Sequence, residues 1–307
     1  MDKRWVFKES TDQDTIVRLI EQLGVSKPIA TILGQRKIQN FEASKAFFRP
    51  SLDELHDPFE MLNMQLAVER ISTAILNGEN ILVYGDYDVD GTTSVALIYE
   101  YLTREYEQVG YYIPDRYKEG YGISMTGVDF AIDNSFSLVI ALDCGTKAIE
   151  QITYAKENGV DFIVCDHHLP GTELPPCILL NPKQINCPYP YKELSGCGVG
   201  FKLVQALNQI ANRSFDNIVN LMDLVVVSIG ADIVSMTGEN RILAYFGLQL
   251  LNETPRIGFK RILELSNTKG DLSIMDVVFS IAPRINAAGR IASGNKAVEL
   301  LLAQSID

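Results

Sequence analysis

Short apolar runs that alternate with helical segments restrict the folds open to this chain. The runs at 81–84, 138–142 and 162–165 are apolar throughout. Strands buried on both faces have this composition, whereas strands with one face in water alternate apolar and polar residues. Helical segments lie between the runs, so the sequence predicts an α/β fold with a parallel sheet flanked by helices.

Weaker signals complete the predicted elements. Further strands are expected at 110–113 and 178–180. Apolar residues at helical spacing predict helices at 12–24, 65–77, 92–104, 124–133 and 146–158, and mostly helices after 198. In the helix at 65–77, the side chains expected to face inward are Leu66, Ala67, Ile71, Ala74 and Ile75.

The composition excludes several classes of protein. The chain has 27 Lys and Arg against 39 Asp and Glu, and the net charge of −12 excludes nucleic-acid binding through a positive field over the whole surface. No apolar run reaches the ~18 residues of a transmembrane helix, and the N-terminal residues do not form a signal peptide. Five cysteines without a disulfide framework indicate reduced thiols and a cytoplasmic protein.

Polar clusters follow three of the predicted strands and a fourth apolar segment. They are Gly-Asp-Tyr-Asp-Val-Asp-Gly at 85–91, Asp-Cys-Gly-Thr at 143–146, Asp-His-His at 166–168 and Gly-Ala-Asp at 230–232. In open α/β sheets, functional residues collect at the carboxyl ends of the strands. We therefore expect the four clusters to meet in one crevice.

The acidic loop at 85–91 predicts a metal site. Its aspartates, Asp86, Asp88 and Asp90, repel one another unless solvent or cations offset their charge. Gly85 and Gly91 permit the loop to turn so that the carboxylates converge. Carboxylate oxygens with one or two histidine nitrogens suit Mn²⁺ or Mg²⁺ better than zinc or copper. Two such ions about 3.5–4 Å apart suit phosphodiester hydrolysis.

Each cluster also has a structural interpretation of its own. The acidic loop fits a solvated turn, Asp143 fits a helix N-cap, and the two histidines fit a hydrogen-bonded turn. A Ca²⁺-binding loop with the same spacing of aspartates requires a glutamate at its twelfth position, where this chain has Leu97. Four clusters at four segment ends favour a joint metal site, because structural needs rarely place so many charges in one crevice.

In their order along the chain, the clusters resemble motifs of the DHH phosphoesterase superfamily. Further segments resemble a narrower group within it, the RecJ-type single-stranded-DNA-specific exonucleases. These segments are Ile-Pro-Asp-Arg at 113–116, Glu-Gly-Tyr-Gly at 119–122, Gly-Glu-Asn-Arg at 238–241 and Pro-Arg-Ile-Asn-Ala-Ala-Gly-Arg at 283–290. The resemblance extends over residues 45–303.

The resemblance implies a centre of two ions, Mn²⁺ or Mg²⁺, and assigns residues to it by motif match. The implied metal ligands are Asp86, Asp88, Asp90, Asp143, His167 and Asp232. Asp143 is the implied bridge between the ions, and Asp86 is either a ligand or a neighbour that supports one. The implied catalytic residues are His168 at the scissile phosphate, Asp166 as the group that orients a histidine, and Arg290.

Substrate contacts are expected from four residues: Arg116, Tyr121, Arg284 and Asn286. Aromatic and basic residues alternate at 111–121, which suits base stacking along a single strand, and a tyrosine-rich loop packed on the core is the alternative. Arg284 and Arg290 equally fit structural arginines at helix ends. The glycine-rich segment 196–200 lacks the spacing of a dinucleotide-binding loop, and we interpret it as the start of a helix.

The sequence suggests three parts: an N-terminal helical segment (1–70), a DHH phosphoesterase core (71–250) and a helical extension (251–307) that leads to a missing DHHA1-type domain. The resemblance implies a metal-dependent exonuclease that degrades single-stranded DNA from 5′ to 3′ and releases mononucleotides in DNA repair and recombination. Its implied partners are single-stranded DNA, a single-stranded-DNA-binding protein and a helicase, with no membrane.

Two alternatives remain open. The first keeps the chemistry and changes the substrate to short oligonucleotides or cyclic dinucleotides. Phosphodiesterases of that kind usually place a histidine four residues before the position of Asp88, where this chain has Tyr84, which favours the exonuclease. The second alternative is a non-catalytic scaffold with a decayed site, and the presence of every implied ligand argues against it.

Overall fold

The computed structural model describes residues 4, 6, 11–268, 270–291 and 294–305, without the side chains of Arg290 and Ile291. The chain forms two compact units, Met1–Leu55 and His56–Asp307. The helices of the first unit are α1 (Gln13–Leu23), α2 (Lys27–Gln35) and α3 (Phe41–Phe48). Their shared core consists of Ile16, Leu19, Ala30, Leu33 and Ile38.

Five parallel strands form the sheet of the second unit and confirm the predicted fold class. They are β1 (Asn80–Gly85), β2 (Val109–Tyr112), β3 (Phe136–Leu142), β4 (Asp161–Cys165) and β5 (Ile178–Leu180). Their spatial order is β2-β1-β3-β4-β5, and all neighbours are parallel. The order reverses between β1 and β3, and such a switch point opens a crevice at the carboxyl ends of the strands.

Helices surround this sheet and continue to the C-terminal end of the described chain. They are α4 (Met64–Asn77), α5 (Val89–Thr103), α6 (Met125–Asp133), α7 (Ile149–Glu157), α8 (Gly196–Ile210), α9 (Asp216–Val219), α10 (Met222–Asp232), α11 (Gly238–Glu253), α12 (Ile257–Ser266), α13 (Ile274–Asp276), α14 (Ala282–Ile291) and α15 (Gly294–Leu302). A π-helical segment, Val277–Ile281, joins α13 to α14. Within the described residues, no helix has the length and hydropathy needed to cross a bilayer.

Helices cover both faces of the sheet, which explains the uninterrupted apolar runs. On one face, Leu82, Val139 and Val164 share a core with residues of α6 and α7. The alternate residues Ile140 and Ile163 point to the opposite face and are also fully buried. There α5 and α8 pack against the strands. Every strand side chain in the middle of the sheet therefore has an apolar environment.

The helix α4 buries a narrower stripe than the sequence predicts. Ala67, Ile71 and Ala74 are fully buried, as expected. The prediction is wrong for Leu66 and Ile75, which are 52% and 38% exposed. They lie beside the buried stripe, which follows the i, i+3 and i+4 positions from the start of the helix. The proposed domain boundaries at 70 and 250 fall within α4 and α11 and stay a prediction.

Candidate metal centre

The acidic loop leaves β1 and enters α5 within three residues. Asp86 directly follows the strand, and Asp88 is the N-cap of α5, where its carboxylate accepts a hydrogen bond from the Gly91 N–H at 3.0 Å. Neither Gly85 nor Gly91 has a positive φ, so the turn between β1 and α5 does not use the left-handed conformation that glycine permits. Gly91 instead permits close approach, because a Cβ there would lie 2.3 Å from the Asp86 carbonyl oxygen.

Asp90 is fixed in the first turn of α5 by donors from distant parts of the chain. Its carboxylate accepts hydrogen bonds from the N–H groups of Gly196 and Cys197, at 2.7 and 2.8 Å, and from the Ser228 hydroxyl at 2.7 Å. The glycine-rich segment is therefore the N-terminus of α8, as predicted, and it binds a carboxylate. Sequence reasoning missed Ser228, although a buried aspartate in a helical first turn requires such donors.

Three carboxylates converge on one ring nitrogen. Nε2 of His167 lies 3.2 Å from Asp143 Oδ1, 3.7 Å from Asp90 Oδ2 and 3.7 Å from Asp232 Oδ2. Asp143 follows β3 in the left-handed region, with a φ of 58°, and its N–H donates to the Cys165 carbonyl at 2.9 Å. The ends of β3 and β4 thus bring Asp143 and His167 together at the switch point.

Asp232 reaches this cluster from a helix and not from a strand. It is the last residue of α10, and its side chain is 36% exposed. Ile233, the next residue, ends the helix in the left-handed conformation with a φ of 55°. The fourth polar cluster of the sequence is therefore placed beside the other three by the packing of α10 against α5.

Several buried atoms of the cluster lack hydrogen-bond partners. Among the described residues, these include Asp86 Oδ2, Asp143 Oδ1 and both ring nitrogens of His167. Buried polar atoms are normally paired, so unpaired oxygens and nitrogens that face one another are suited to a bound cation. Two overlapping groups each bring three potential ligand atoms within 4.8 Å of one another: Asp143, His167 and His168, and Asp90, His167 and Asp232. These donors fit Mn²⁺ or Mg²⁺.

The crowded carboxylates have raised pKa values. Burial, together with the charge of Asp88, raises the pKa of Asp86 to about 7. Burial and the charge of Asp90 raise the pKa of Asp232 to about 6, and the same two causes hold the pKa of Asp143 well above its usual range. Burial and neighbouring negative charge both disfavour the ionised carboxylates, and bound cations would supply the compensating positive charge.

Asp166 orients His168 and is itself fully hydrogen-bonded. Its Oδ1 accepts from His168 Nδ1 at 2.7 Å and from the N–H groups of His167 and His168, while Oδ2 accepts from the Thr146 N–H at 2.9 Å. Burial alone would raise the pKa of Asp166, but the hydrogen bonds and charge of His168, together with the hydrogen bond from Thr146, outweigh it and lower this pKa. The same hydrogen bond raises the pKa of His168.

Aromatic residues line one side of the site next to His168. The Tyr121 hydroxyl lies 3.2 Å from His168 Nε2. The rings of Tyr121 and Tyr87 meet edge to face at 6.3 Å, and the Arg116 guanidinium carbon lies 4.7 Å from the Tyr87 ring centroid. Arg116 and Tyr121, predicted as substrate contacts, are thus near the acidic cluster. Sequence reasoning missed Tyr87, although its position between two aspartates was a signal.

The candidates on α14 have different surroundings. Arg284 is exposed and donates to the Ser280 carbonyl of the preceding turn, not to a residue of the acidic cluster. Asn286 lines a cavity of about 330 Å³ with Ala231 and Ile233, the two neighbours of Asp232. The side chain of Arg290 lies outside the described residues.

A family model described as the DHH family, N-terminal domain, matches residues 80–229. This range begins at β1, ends within α10 and contains the first three polar clusters in order. Over these residues the chain is a member of the DHH family. The sequence-based recognition of this family is therefore confirmed. The three polar clusters inside the matched range are the ones that follow strands of the sheet.

Curated relatives within the DHH family carry the name single-stranded-DNA-specific exonuclease RecJ. The protein from Bacillus subtilis (strain 168) is 40% identical over 304 residues, which cover 98% of this chain and 38% of that protein. The protein from Escherichia coli (strain K12) is 35% identical over 263 residues, covering 81% of this chain and 46% of that protein. The chain thus spans less than half the length of these relatives.

Solved structures of RecJ have the same architecture. The crystal structure of RecJ in complex with Mn²⁺ from Thermus thermophilus matches 96% of this chain and 42% of its own, with a TM-score of 0.81 and 28% identity. A crystal structure of exonuclease RecJ bound to manganese matches 82% of this chain and 63% of its own, with a TM-score of 0.73 and 33% identity.

Proposed function

We propose that this chain carries the catalytic centre of an exonuclease that hydrolyses single-stranded DNA with two divalent cations, Mn²⁺ or Mg²⁺. The observation that carries the proposal is the convergence of Asp90, Asp143 and Asp232 on Nε2 of His167, within 3.7 Å. The similarity to proteins named single-stranded-DNA-specific exonuclease supports the substrate. The similarity to a RecJ structure that contains Mn²⁺ supports the metal.

The proposed cation ligands come from four segments: Asp86, Asp88, Asp90, Asp143, His167 and Asp232. Asp143 is buried near the charges of Asp88, Asp90 and Asp232 and is our choice for the bridge between the ions. When bound, divalent cations supply the positive charge that polarises a phosphodiester and activates a water for attack. The Asp90 carboxylate is held by the N–H groups of Gly196 and Cys197 and by the Ser228 hydroxyl, so one ligand is in place before any cation binds.

His168 is the proposed contact to the scissile phosphate. A carboxylate can only accept a hydrogen bond, so Asp166 fixes the proton of His168 on Nδ1. The raised pKa favours the doubly protonated ring, in which Nε2 also donates. That nitrogen is near the Tyr121 hydroxyl at the open side of the site, where it would donate to a phosphate oxygen. Arg290 is the proposed source of further positive charge.

Tyr87, Tyr121 and Arg116 together are the proposed contact to the DNA strand next to the reacting phosphate. Base stacking on tyrosine tolerates any sequence and requires bases that are not paired in a duplex. We further propose cleavage from the 5′ end with release of mononucleotides, in DNA repair and recombination in the cytoplasm. A single-stranded-DNA-binding protein and a helicase are the proposed partners.

The test uses a 5′-labelled single-stranded oligonucleotide and added Mn²⁺. Wild type should release labelled mononucleotide first, and Asp143→Ala should lower the rate by about 100-fold or more, because it removes the proposed bridge. Asp133→Ala, which changes an exposed aspartate at the end of α6, is the matched control and should retain the wild-type rate. A 3′-labelled strand should shorten before its label is released.

Other substrates separate the proposal from its alternative. A blunt duplex of the same sequence should resist cleavage, because its bases are not free to stack on tyrosine. Hydrolysis of dinucleotides or cyclic dinucleotides without hydrolysis of the long strand would contradict the exonuclease and support the small-substrate phosphodiesterase. Equal rates for wild type and Asp143→Ala would contradict both.

A further inference from the structure

Two loops that lead to cation-site residues meet at one carbonyl oxygen. The Ser235 carbonyl accepts hydrogen bonds from the Tyr191 hydroxyl at 3.1 Å and from Asn240 Nδ2 at 3.0 Å. Asn240 is fully buried at the start of α11, and its Nδ2 also donates to the Glu193 carbonyl at 2.5 Å. One amide thus joins the loop after α10 to the loop before α8. We call Tyr191, Ser235 and Asn240 the carbonyl clamp.

Close packing holds Tyr191 in this arrangement. Its hydroxyl lies 3.2 Å from the Thr237 hydroxyl as well as 3.1 Å from the Ser235 carbonyl. Its ring lies against Gly238, where a Cβ would be 2.6 Å from a ring carbon. Gly238 also has a φ of 45°, a conformation that favours glycine. The position of Tyr191 is therefore fixed both by the hydrogen bond of its hydroxyl to the Ser235 carbonyl and by the packing of its ring on Gly238.

The two joined loops lead to different ligands of one cation. Ser235 lies three residues after Asp232, and Glu193 lies three residues before Gly196, whose N–H donates to the Asp90 carboxylate. Asp90 and Asp232 each have an oxygen 3.7 Å from His167 Nε2. A change in the distance between the loops would separate these two carboxylates, because each is attached to one side of the clamp.

We infer that Tyr191 and Asn240 are positioning residues that set the spacing of Asp90 and Asp232, and through it the cation affinity of the group Asp90, His167 and Asp232. The inference rests on the proposed two-cation function. Neither side chain of the clamp is a cation ligand. Groups that hold ligands in place typically change metal affinity by about 10–100-fold when they are removed.

The remaining proposed ligands, Asp86, Asp88 and the bridging Asp143, provide an internal reference. Asp86 and Asp143 directly follow β1 and β3, and the parallel ladder between these strands fixes their positions. Asp88 is fixed as the N-cap of α5. Loss of the clamp should therefore weaken one of the two cations and leave the other unchanged.

The experiment is a calorimetric titration of the 307-residue chain with Mn²⁺ alone. Wild type should show two binding events. Tyr191→Phe and Asn240→Ala should each weaken one event by about 10-fold or more and leave the second event within about 2-fold of wild type. Tyr191→Phe removes a single hydroxyl and keeps the ring, so it tests the clamp even where Asn240→Ala, at a fully buried position, fails to fold.

Matched controls make the same chemical changes far from the site. Tyr154→Phe removes a hydroxyl that donates to Asp129 between α7 and α6. Asn252→Ala removes an amide that donates to the carbonyls of Leu248 and Leu272 at the other end of α11. Both controls should bind Mn²⁺ like wild type.

A second measurement separates positioning from loss of stability. The Mn²⁺ concentration for half-maximal cleavage should rise by about 10-fold or more for Tyr191→Phe, while kcat at saturating Mn²⁺ and KM for the strand stay at wild-type values. Two wild-type affinities in Tyr191→Phe, or equal weakening of both events, would overturn the inference. A wild-type chain that binds no Mn²⁺ would instead overturn the proposed function on which the inference rests.

Discussion

At the scale of single residues, the two adjacent histidines show how position separates roles. His167 is 6% exposed, and both its ring nitrogens lack a hydrogen-bond partner among the described residues. Its Nε2 faces the carboxylates of the cluster. The side chain of His168 is 44% exposed and is fixed by Asp166 through Nδ1. The chain turns after β4 so that one ring points into the cluster and the next points to its open side. These two environments suit the proposed ligand role of His167 and the proposed phosphate contact of His168.

Asp166→Asn should lower the pKa of His168, because the amide cannot supply the negative charge that stabilises the protonated ring. The pH at which His168 loses its proton should fall, and cleavage should fall by about 10–100-fold, most strongly at the alkaline end of the pH range. Histidine titration followed by NMR, together with the pH dependence of kcat, measures both effects. An unchanged His168 titration would contradict the orienting role, and Asp133→Asn is the matched control.

At the scale of elements, the start of α8 is packed directly against the proposed bridging residue. A Cβ on Gly196 would lie 2.7 Å from the Asp143 carboxylate oxygen. Only a residue without a side chain lets the N-terminus of α8 come this close while its N–H donates to Asp90. The glycine therefore serves the site by its small size, and the position of the whole helix depends on it.

Gly196→Ala should displace either Asp143 or the helix start. We expect Mn²⁺ affinity to fall by about 10-fold or more and the free energy of unfolding to fall by about 1–3 kcal/mol. The matched control is Gly200→Ala on the same helix, whose Cβ would meet Leu142 at 3.4 Å, an ordinary contact. Because alanine favours helix over glycine by about 1 kcal/mol, the control should keep or gain stability. Calorimetry and thermal unfolding give both quantities, and equal behaviour of the two variants would contradict the close-packing argument.

At the scale of the whole molecule, the chain concentrates negative charge where it needs cations. The net charge of −12 includes the carboxylates of the acidic cluster, whose pKa values burial raises. A group with a higher pKa in the folded state stabilises that state at low pH, and this contribution is lost as pH rises through the folded pKa. Without metal, the ionised site therefore opposes folding near neutral pH.

The metal-free chain should lose thermal stability as pH rises from about 5 to about 8, because Asp232 and Asp86 titrate at about 6 and about 7. Saturating Mn²⁺ should remove this decline, since it binds the ionised carboxylates of the folded state. Thermal unfolding across that pH range, with and without Mn²⁺, measures the effect. Asp86→Asn should flatten the metal-free curve, and a curve as steep as that of wild type would contradict the assignment.

The sequence by itself determined the elements and the identity of the acidic clusters, because both depend on residues close together in the chain. All five strands lie where apolar runs predict them. Asp143 directly follows β3, and His167 lies two residues after the end of β4. The predicted burial of Leu66 is wrong, because the width of the buried stripe on α4 depends on the elements packed against the helix and not on residue spacing alone. The sequence could not show why Gly91 is a glycine, because the contact that requires it is a close approach to the Asp86 backbone.

Only the tertiary structure decided how distant residues meet. Gly196 and Asp90 form a hydrogen bond across 106 positions of the chain, and Ser228 and Asp90 form one across 138. Asp232 lies on a helix, and the packing of α10 against α5 places the last turn of α10 near the carboxyl ends of the strands. Periodicity is local, whereas strand order and helix packing are set by burial over the whole chain. The sequence therefore determined which oxygen and nitrogen atoms are available to bind cations, and the tertiary structure determined the distances between them.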